Sequence, residues 1–192
     1  MQKLGKKTEP VAAPPEGIVI ASDRIPFNAS GEALSEEQIW QLLDEVKDPE
    51  VPVVSVVELG IVRKLSWEGE QLVVDVTPTY SGCPATDFIE ELIVEGLQLG
   101  GIRNPKIKRV LVPAWTTDWI TPAGREKLRE FGIAPPQGSA SKMSLLTDDK
   151  VIICPHCNSS HTELVSEFGS TPCKALYRCT DCLEPFDYFK CI

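Results

Sequence analysis

The sequence predicts an α/β fold: a small domain ordered α-β-β-α-β-α around a mixed sheet, followed by a cysteine-rich, zinc-ribbon-like module. Three observations carry this. Apolar residues recur at helical spacing near residues 36–46 and 84–97, Thr121-Pro122 and Gly132 bracket a third helix, and β-rich runs lie between them. The strand–helix–strand stretch from Gln71 to Val112 has the length of a parallel crossover. Near the C-terminus, Cys154-Pro155-His156-Cys157 and Cys179-Thr180-Asp181-Cys182 repeat a two-residue spacer, which lets a tight turn aim two thiolates at one ion.

Residues 1–32 are rich in Pro, Ala, Gly and charge and show one short apolar run, Ile18-Val19-Ile20, so a flexible tail is expected there. The α/β domain is placed at 33–136. Its first helix starts at Ser35, where Glu36, Glu37 and Gln38 complete a capping box, and Ile39, Leu42, Leu43 and Val46 form the apolar stripe before Asp48-Pro49. Val51 to Gly60 is too interrupted by proline for an inner strand and reads as a partly buried loop. Two strands follow, Ile61–Ser66 and Gln71–Thr77, joined by the hairpin turn Trp67-Glu68-Gly69-Glu70. Alternation puts Val74 and Val76 on one face, Val73 and Asp75 on the other.

Pro84 suits the first position of the second helix, whose stripe is Phe88, Ile89, Leu92, Ile93 and Leu97 and whose end is Gly100-Gly101. Ile107–Val112 is the third strand. Thr121-Pro122 opens the last helix, which closes at Gly132 and Pro135-Pro136. A polar linker is placed at 137–150, and the metal module at 151–192.

Composition narrows the chemistry. With 192 residues, the chain has room for one ordinary domain plus an appendage of about 40 residues, a size at which metals or disulfides usually supply stability. Seven cysteines, an odd number, without a secretory apolar stretch, favour metal ligation in a reducing, cytoplasmic setting over a disulfide framework. A net charge of −9 opposes nucleic-acid binding, which is driven by a basic surface, and the module itself is acidic, with four basic against seven acidic residues from Asp148 onward. No stretch has the length of a membrane span, so no membrane partner is expected. A homo-oligomer is compatible with all of this.

Cys154, Cys157, Cys179 and Cys182 are the candidate ligands of a closed tetrathiolate, a set that suits structural zinc and equally a rubredoxin-like iron. Cys173 and Cys191 remain as alternative ligands, either replacing a knuckle cysteine or joining a second site. Cys83, in Thr79-Tyr80-Ser81-Gly82-Cys83-Pro84, is placed at a helix start, where free amide groups and the helix dipole favour a thiolate. The alternative is a buried, inert cysteine. A Cys-dependent hydrolase would need a histidine base, and the chain offers only His156 and His161, both in the metal module. A thiolate without a local histidine is better suited to holding a soft metal or an iron–sulfur unit transiently. Asp48 and Glu58 flank the valine-rich loop, either as oxygen ligands near Cys83 or as a helix-ending acid and a solvated loop acid. Trp115 and Trp119 lie after the third strand, as rim or as core aromatics.

Asp48-Pro49-Glu50-Val51-Pro52, Val57-Glu58-Leu59-Gly60-Ile61-Val62 and Thr77-Pro78-Thr79-Tyr80-Ser81-Gly82-Cys83-Pro84 resemble the domain shared by SufT-type proteins and the eukaryotic cytosolic iron–sulfur targeting factors. The resemblance covers residues 35–135. Pro113-Ala114-Trp115-Thr116-Thr117-Asp118-Trp119-Ile120-Thr121-Pro122, with Cys173-Lys174-Ala175-Leu176-Tyr177-Arg178-Cys179 and Phe186-Asp187-Tyr188-Phe189-Lys190-Cys191, is similar to the PaaD family of phenylacetate catabolism. This resemblance implies a non-catalytic maturation role in assembling iron–sulfur or iron centres for the phenylacetyl-CoA epoxidase, whose oxygenase and reductase components would be the partners. It implies Cys83 as the functional thiol, with Asp48, Glu58, Thr77 and Thr79 as its neighbours. A structural oxygenase subunit is the alternative reading.

Overall fold

A computed structural model of the protein describes residues 34–80, 82–137 and 151–190. The expected tail, nearly all of the expected linker, and Cys191 lie outside them. Helix α1 (Glu36–Glu45) begins as its capping box requires: Gln38 N–H donates to Ser35 Oγ at 3.2 Å and Ser35 N–H to Gln38 Oε1 at 2.8 Å. Its buried residues are Ile39 and Leu43. Strands β1 (Val62–Glu68) and β2 (Gln71–Val76) form an antiparallel hairpin, helix α2 (Thr86–Leu99) crosses over, and β3 (Lys106–Arg109) pairs parallel with β2. The sheet is therefore mixed, in the order β1-β2-β3. Val74 and Val76 are buried as the alternation predicts, but so is Val73, so both faces of this central strand are covered.

Helix α1 packs against α2 at close range because α2 offers no side chain where they cross. A Cβ added to Gly100 would lie 2.2 Å from Leu42, and one added to Gly96 would lie 2.8 Å from Val46. The valine-rich loop is more deeply placed than expected, with Val51, Val54, Val56 and Leu59 all buried. Helix α2 starts at Thr86, two residues later than Pro84 would allow, because Thr86 N–H (3.3 Å) and Oγ1 (2.9 Å) both donate to the Cys83 carbonyl and hold a turn there.

Helix α3 (Pro122–Glu130) is capped by Thr121, whose Oγ1 accepts from Gly124 N–H at 3.0 Å. Past it lies a two-residue strand, β4 (Ile133–Ala134), that the sequence pattern does not reveal. It pairs parallel with β7 (Pro185–Phe189), which with β6 (Lys174–Cys179) and β5 (Thr162–Ser166) forms a second sheet in the order β4-β7-β6-β5. The two residues of β4 serve different cores. Ile133 belongs to the large cluster of the α/β domain, while Ala134 belongs to the ribbon cluster of Ile152, Cys154, Ala175, Cys179, Phe186 and Tyr188.

The ribbon is seated on the α/β domain by apolar contacts. Phe189 and Cys173 join the large core, and the Phe189 ring lies 6.2 Å from that of Trp115, whose indole N–H donates to Leu59 O at 2.9 Å. Trp115 is therefore a core residue, and Trp119 carries the Arg63 guanidinium 3.5 Å above its ring. Gly132, at a φ of 91°, passes under the His156 ring, where an added Cβ would come within 3.1 Å.

Candidate functional site

The two knuckles converge. Cys154 and Cys157 lie on the turn before β5, Cys179 ends β6 and Cys182 follows it. Their four Sγ atoms all lie within 4.8 Å of one another, with Cys154 to Cys182 at 3.8 Å and Cys157 to Cys179 at 3.5 Å. A tetrahedral ion with metal–sulfur bonds of about 2.3 Å needs sulfur–sulfur edges of about 3.8 Å, so the donor set and its spacing fit a metal ion. Each knuckle turns through a left-handed residue one position past its second cysteine, Asn158 (φ 61°) and Leu183 (φ 68°). The Cys182 amide donates to Cys179 Sγ at 3.5 Å, and this contact leads in drawing the Cys179 thiol down to about 6. His156 is packed edge-on against Phe186 and His161 faces the Asp181 carboxylate at 3.1 Å. Among the described residues, no other group of three or more such side chains is gathered closely enough to hold a metal.

Cys83 lies elsewhere, on the loop that leaves the carboxyl end of β2. It is half-buried and free, and its N–H donates to Tyr80 O at 3.2 Å. It stands three residues before the first residue of α2 rather than at the helix start. Thr77 and Thr79 are buried on the same segment. Asp48 is buried at the start of the valine-rich loop, where its Oδ1 accepts from the N–H groups of Glu50 (2.7 Å) and Val51 (3.0 Å). Glu58, also buried, accepts from Ser55 N–H at 3.0 Å and pairs with Lys127 at 2.5 Å.

Cys173 is not with the knuckles. It is buried in the large core, and the Thr171 hydroxyl lies 3.0 Å from its Sγ. Burial pushes its thiol up, with Glu50, Asp48 and Lys174 as charged neighbours. The Tyr80 phenol is pushed up to about 12, first by burial and then by Cys83, Cys173 and Glu50. Asp48, Glu50 and Lys174 thus act on Cys173, and Cys83, Cys173 and Glu50 act on Tyr80. Glu50, Tyr80 and Lys174 each stand within two residues of a singled-out position, yet only the docking of the ribbon reveals their association.

Burial raises the Asp48 carboxyl above its ordinary 3.8, against the opposing pull of the two amides and of Lys174. The folded state therefore holds this proton more tightly than the unfolded chain, so the group destabilises the fold near neutrality and less so as pH falls toward 3.8. Asp48→Asn keeps the Oδ1 acceptor and removes the charge. It is expected to unfold at higher urea than the parent near neutrality, by on the order of 1 kcal/mol. The gain should shrink as pH falls to about 4. A less stable variant whose deficit shrinks as pH falls toward 4 would show that the charge is stabilising where it sits.

An α/β domain with a cysteine-bearing loop at the end of its central strand, joined to a four-cysteine ribbon, is the class of iron–sulfur assembly domains fused to a zinc β-ribbon. Residues 36–107 match the iron–sulfur cluster assembly protein family and residues 138–190 match the PaaD zinc beta ribbon domain. An Escherichia coli protein, provisionally named as one of the subunits of 1,2-phenylacetyl-CoA epoxidase, is 52% identical over 155 residues, spanning 81% of this chain and 92% of its own length. The chain belongs to the PaaD family. A Porphyromonas gingivalis protein named Fe-S protein maturation auxiliary factor is 33% identical over 100 residues, covering 51% of this chain and 91% of its own. The crystal structure of a domain of unknown function from Bacillus anthracis, 25% identical, covers 48% of this chain and 90% of its own with a TM-score of 0.44. No helix among the described residues is long and apolar enough to cross a membrane.

Proposed function

We propose that the chain is a non-catalytic maturation factor that helps assemble or insert iron–sulfur or iron centres in the phenylacetyl-CoA epoxidase. In this reading Cys83 handles the iron, Asp48, Thr77 and Thr79 line its loop neighbourhood, and Glu58 braces the loop through Ser55 and Lys127. The four knuckle cysteines hold a structural zinc. The observation that carries the reading is the setting of Cys83: a free, half-buried thiol beside the Tyr80 phenol, while both histidines are engaged within the ribbon by Phe186 and Asp181. A soft ligand without a base suits metal transfer rather than acyl transfer. The match of residues 36–107 to iron–sulfur cluster assembly proteins, and the names carried by the two curated relatives, support it.

The oxygenase and reductase components are then the partners, met through the ribbon. Its edge strand β5 and the turn after it expose Leu164, Val165 and Phe168. That same surface favours a second reading, a structural subunit bound stoichiometrically to the oxygenase, which stable co-purification would support.

Cys83→Ser is expected to retain the fold and the ribbon metal while leaving cells unable to grow on phenylacetate, with epoxidase components present but poor in iron. Normal growth and full iron loading would remove Cys83 from the mechanism and leave the structural-subunit reading.

A further inference from the structure

We propose that the outer edge of β3 docks an extended segment of a partner protein, added as a further strand whose basic residues face α2 and whose acidic residues face Lys106 and Lys108. The proposal stands independently of the role given to Cys83. β3 ends the order β1-β2-β3, and among the described residues no strand pairs with its outer side. Val110 N–H donates to Val76 O at 2.8 Å, so alternation along the strand turns the backbone groups of Lys106 and Lys108 toward β2 as well. The N–H and C=O groups of Ile107 and Arg109 therefore point outward. Just past them, Leu111 and Val112 are exposed.

This edge borders a groove. The groove has a volume of about 440 Å³ and runs between β3 and α2, lined by Asp87, Glu90, Glu91 and Glu95 together with Val94 and Ile107. Helix α2 contains no lysine or arginine, and Asp87, Glu91 and Glu95 recur along it at four-residue spacing, a like-charge row that destabilises a helix. Arg109 offsets the first turn by pairing with Asp87 at 2.6 Å and with Glu90 at 2.7 Å. Glu91 and Glu95 have no ion pair among the described residues. A lysine or arginine on an incoming strand would supply one.

The other face of the sheet has the opposite sign. Lys106 and Lys108 lie there in register with Val73 and Asp75 of β2, and Lys64 of β1 is in register with Asp75 from the other side. Lys106 bonds Glu68 at 2.8 Å, whereas Lys64 and Lys108 have no ion pair among the described residues. Edge lysines commonly guard a strand against unwanted pairing. Here they select the occupant. A second copy of β3 laid antiparallel would set lysine against lysine and bring two carboxylate rows together, so the edge repels itself. A strand with lysine or arginine on one face and glutamate or aspartate on the other matches both sides. Its main chain would bond Ile107 and Arg109, and its alternating side chains would give the specificity.

The full-length chain is titrated with a synthetic peptide of two threonine-lysine-glutamate-valine repeats, which carries lysine and valine on one face and threonine and glutamate on the other. Binding and amide exchange at Ile107 and Arg109 are followed by NMR. Both amides are expected to exchange fast in the free chain and to slow when the peptide binds. The same peptide with its backbone amides N-methylated should bind at least about ten-fold more weakly, since the main-chain hydrogen bonds are blocked. Glu91, Glu95 and Lys108 are exposed, so their charge reversal should leave the fold intact. Glu91→Lys combined with Glu95→Lys, and separately Lys108→Glu, should each weaken binding at least about five-fold. No binding by wild type, or binding that leaves the two amides exchanging freely, overturns the proposal. So does protection of both amides before peptide is added: in a monomer it would assign the edge to another segment of this chain, and in a concentration-dependent dimer to a second copy.

Discussion

Stripping the metal from the ribbon is expected to unfold the second sheet, including β4, while β1, β2 and β3 keep their protection from hydrogen exchange. The ribbon's own core is small, seven buried residues of which two are the ligands Cys154 and Cys179. A module of about 40 residues with so little to bury depends on its staple. Structural zinc contributes about 10–16 kcal/mol of apparent free energy to small metal-folded peptides near neutrality, which exceeds the stability of most whole domains. Chelation at neutral pH, or Cys179→Ala, should therefore expose the amides of residues 162–189 to exchange and protease. Because β4 pairs, among the described residues, only with β7 of that sheet, Ile133 and Ala134 should lose protection with it. Unchanged protection after verified metal loss would mean that apolar seating on the α/β domain suffices to hold the ribbon.

The second large effect is expected at the contact of α2 with the first sheet and α1. Leu97 is fully buried, and its carbonyl accepts the Ile102 amide at 2.9 Å as the chain leaves the helix. Leu97→Ala should cost about 2–5 kcal/mol, the lost transfer of the side chain plus the cavity left behind. That lowers the melting temperature of the α/β domain by about 8–40 °C. Leu99, two residues on and 82% exposed, is the control: Leu99→Ala should change stability by no more than about 0.5 kcal/mol. Equal losses at both positions would contradict the packing of α2. The ribbon metal should be retained in either variant.

Local chemistry makes much of this architecture legible. The capping box at Ser35, the Thr121-Pro122 start, the hairpin turn at Gly69 and the paired knuckles are each written within a few residues, and each is found where that chemistry places it. What local chemistry does not carry is what two distant segments impose on one another. Ile133-Ala134 is too short to show a period and becomes a strand only because β7 lies beside it. Val73 points away from Val74 yet is buried, since alternation says nothing of what covers the second face. Helix α2 starts later than its proline suggests because the Thr86 hydroxyl bonds the Cys83 carbonyl, a local bond that competes with the preference of proline for a first helical turn. Cys83 is visible as a singular cysteine in a glycine–proline setting, but that the ribbon's Cys173 acts on its neighbour Tyr80 depends on how the ribbon is seated.

The central claim is that Cys83 carries iron toward a client, and its most direct test is transfer. The chain is loaded anaerobically with isotopically labelled iron and sulfide, freed of excess, and mixed with the iron-depleted oxygenase component in the presence of a chelator that captures free iron. The account predicts labelled iron in the re-isolated oxygenase with wild type and none above background with Cys83→Ser, whose ribbon metal is intact. Equal labelling by the two proteins would contradict it.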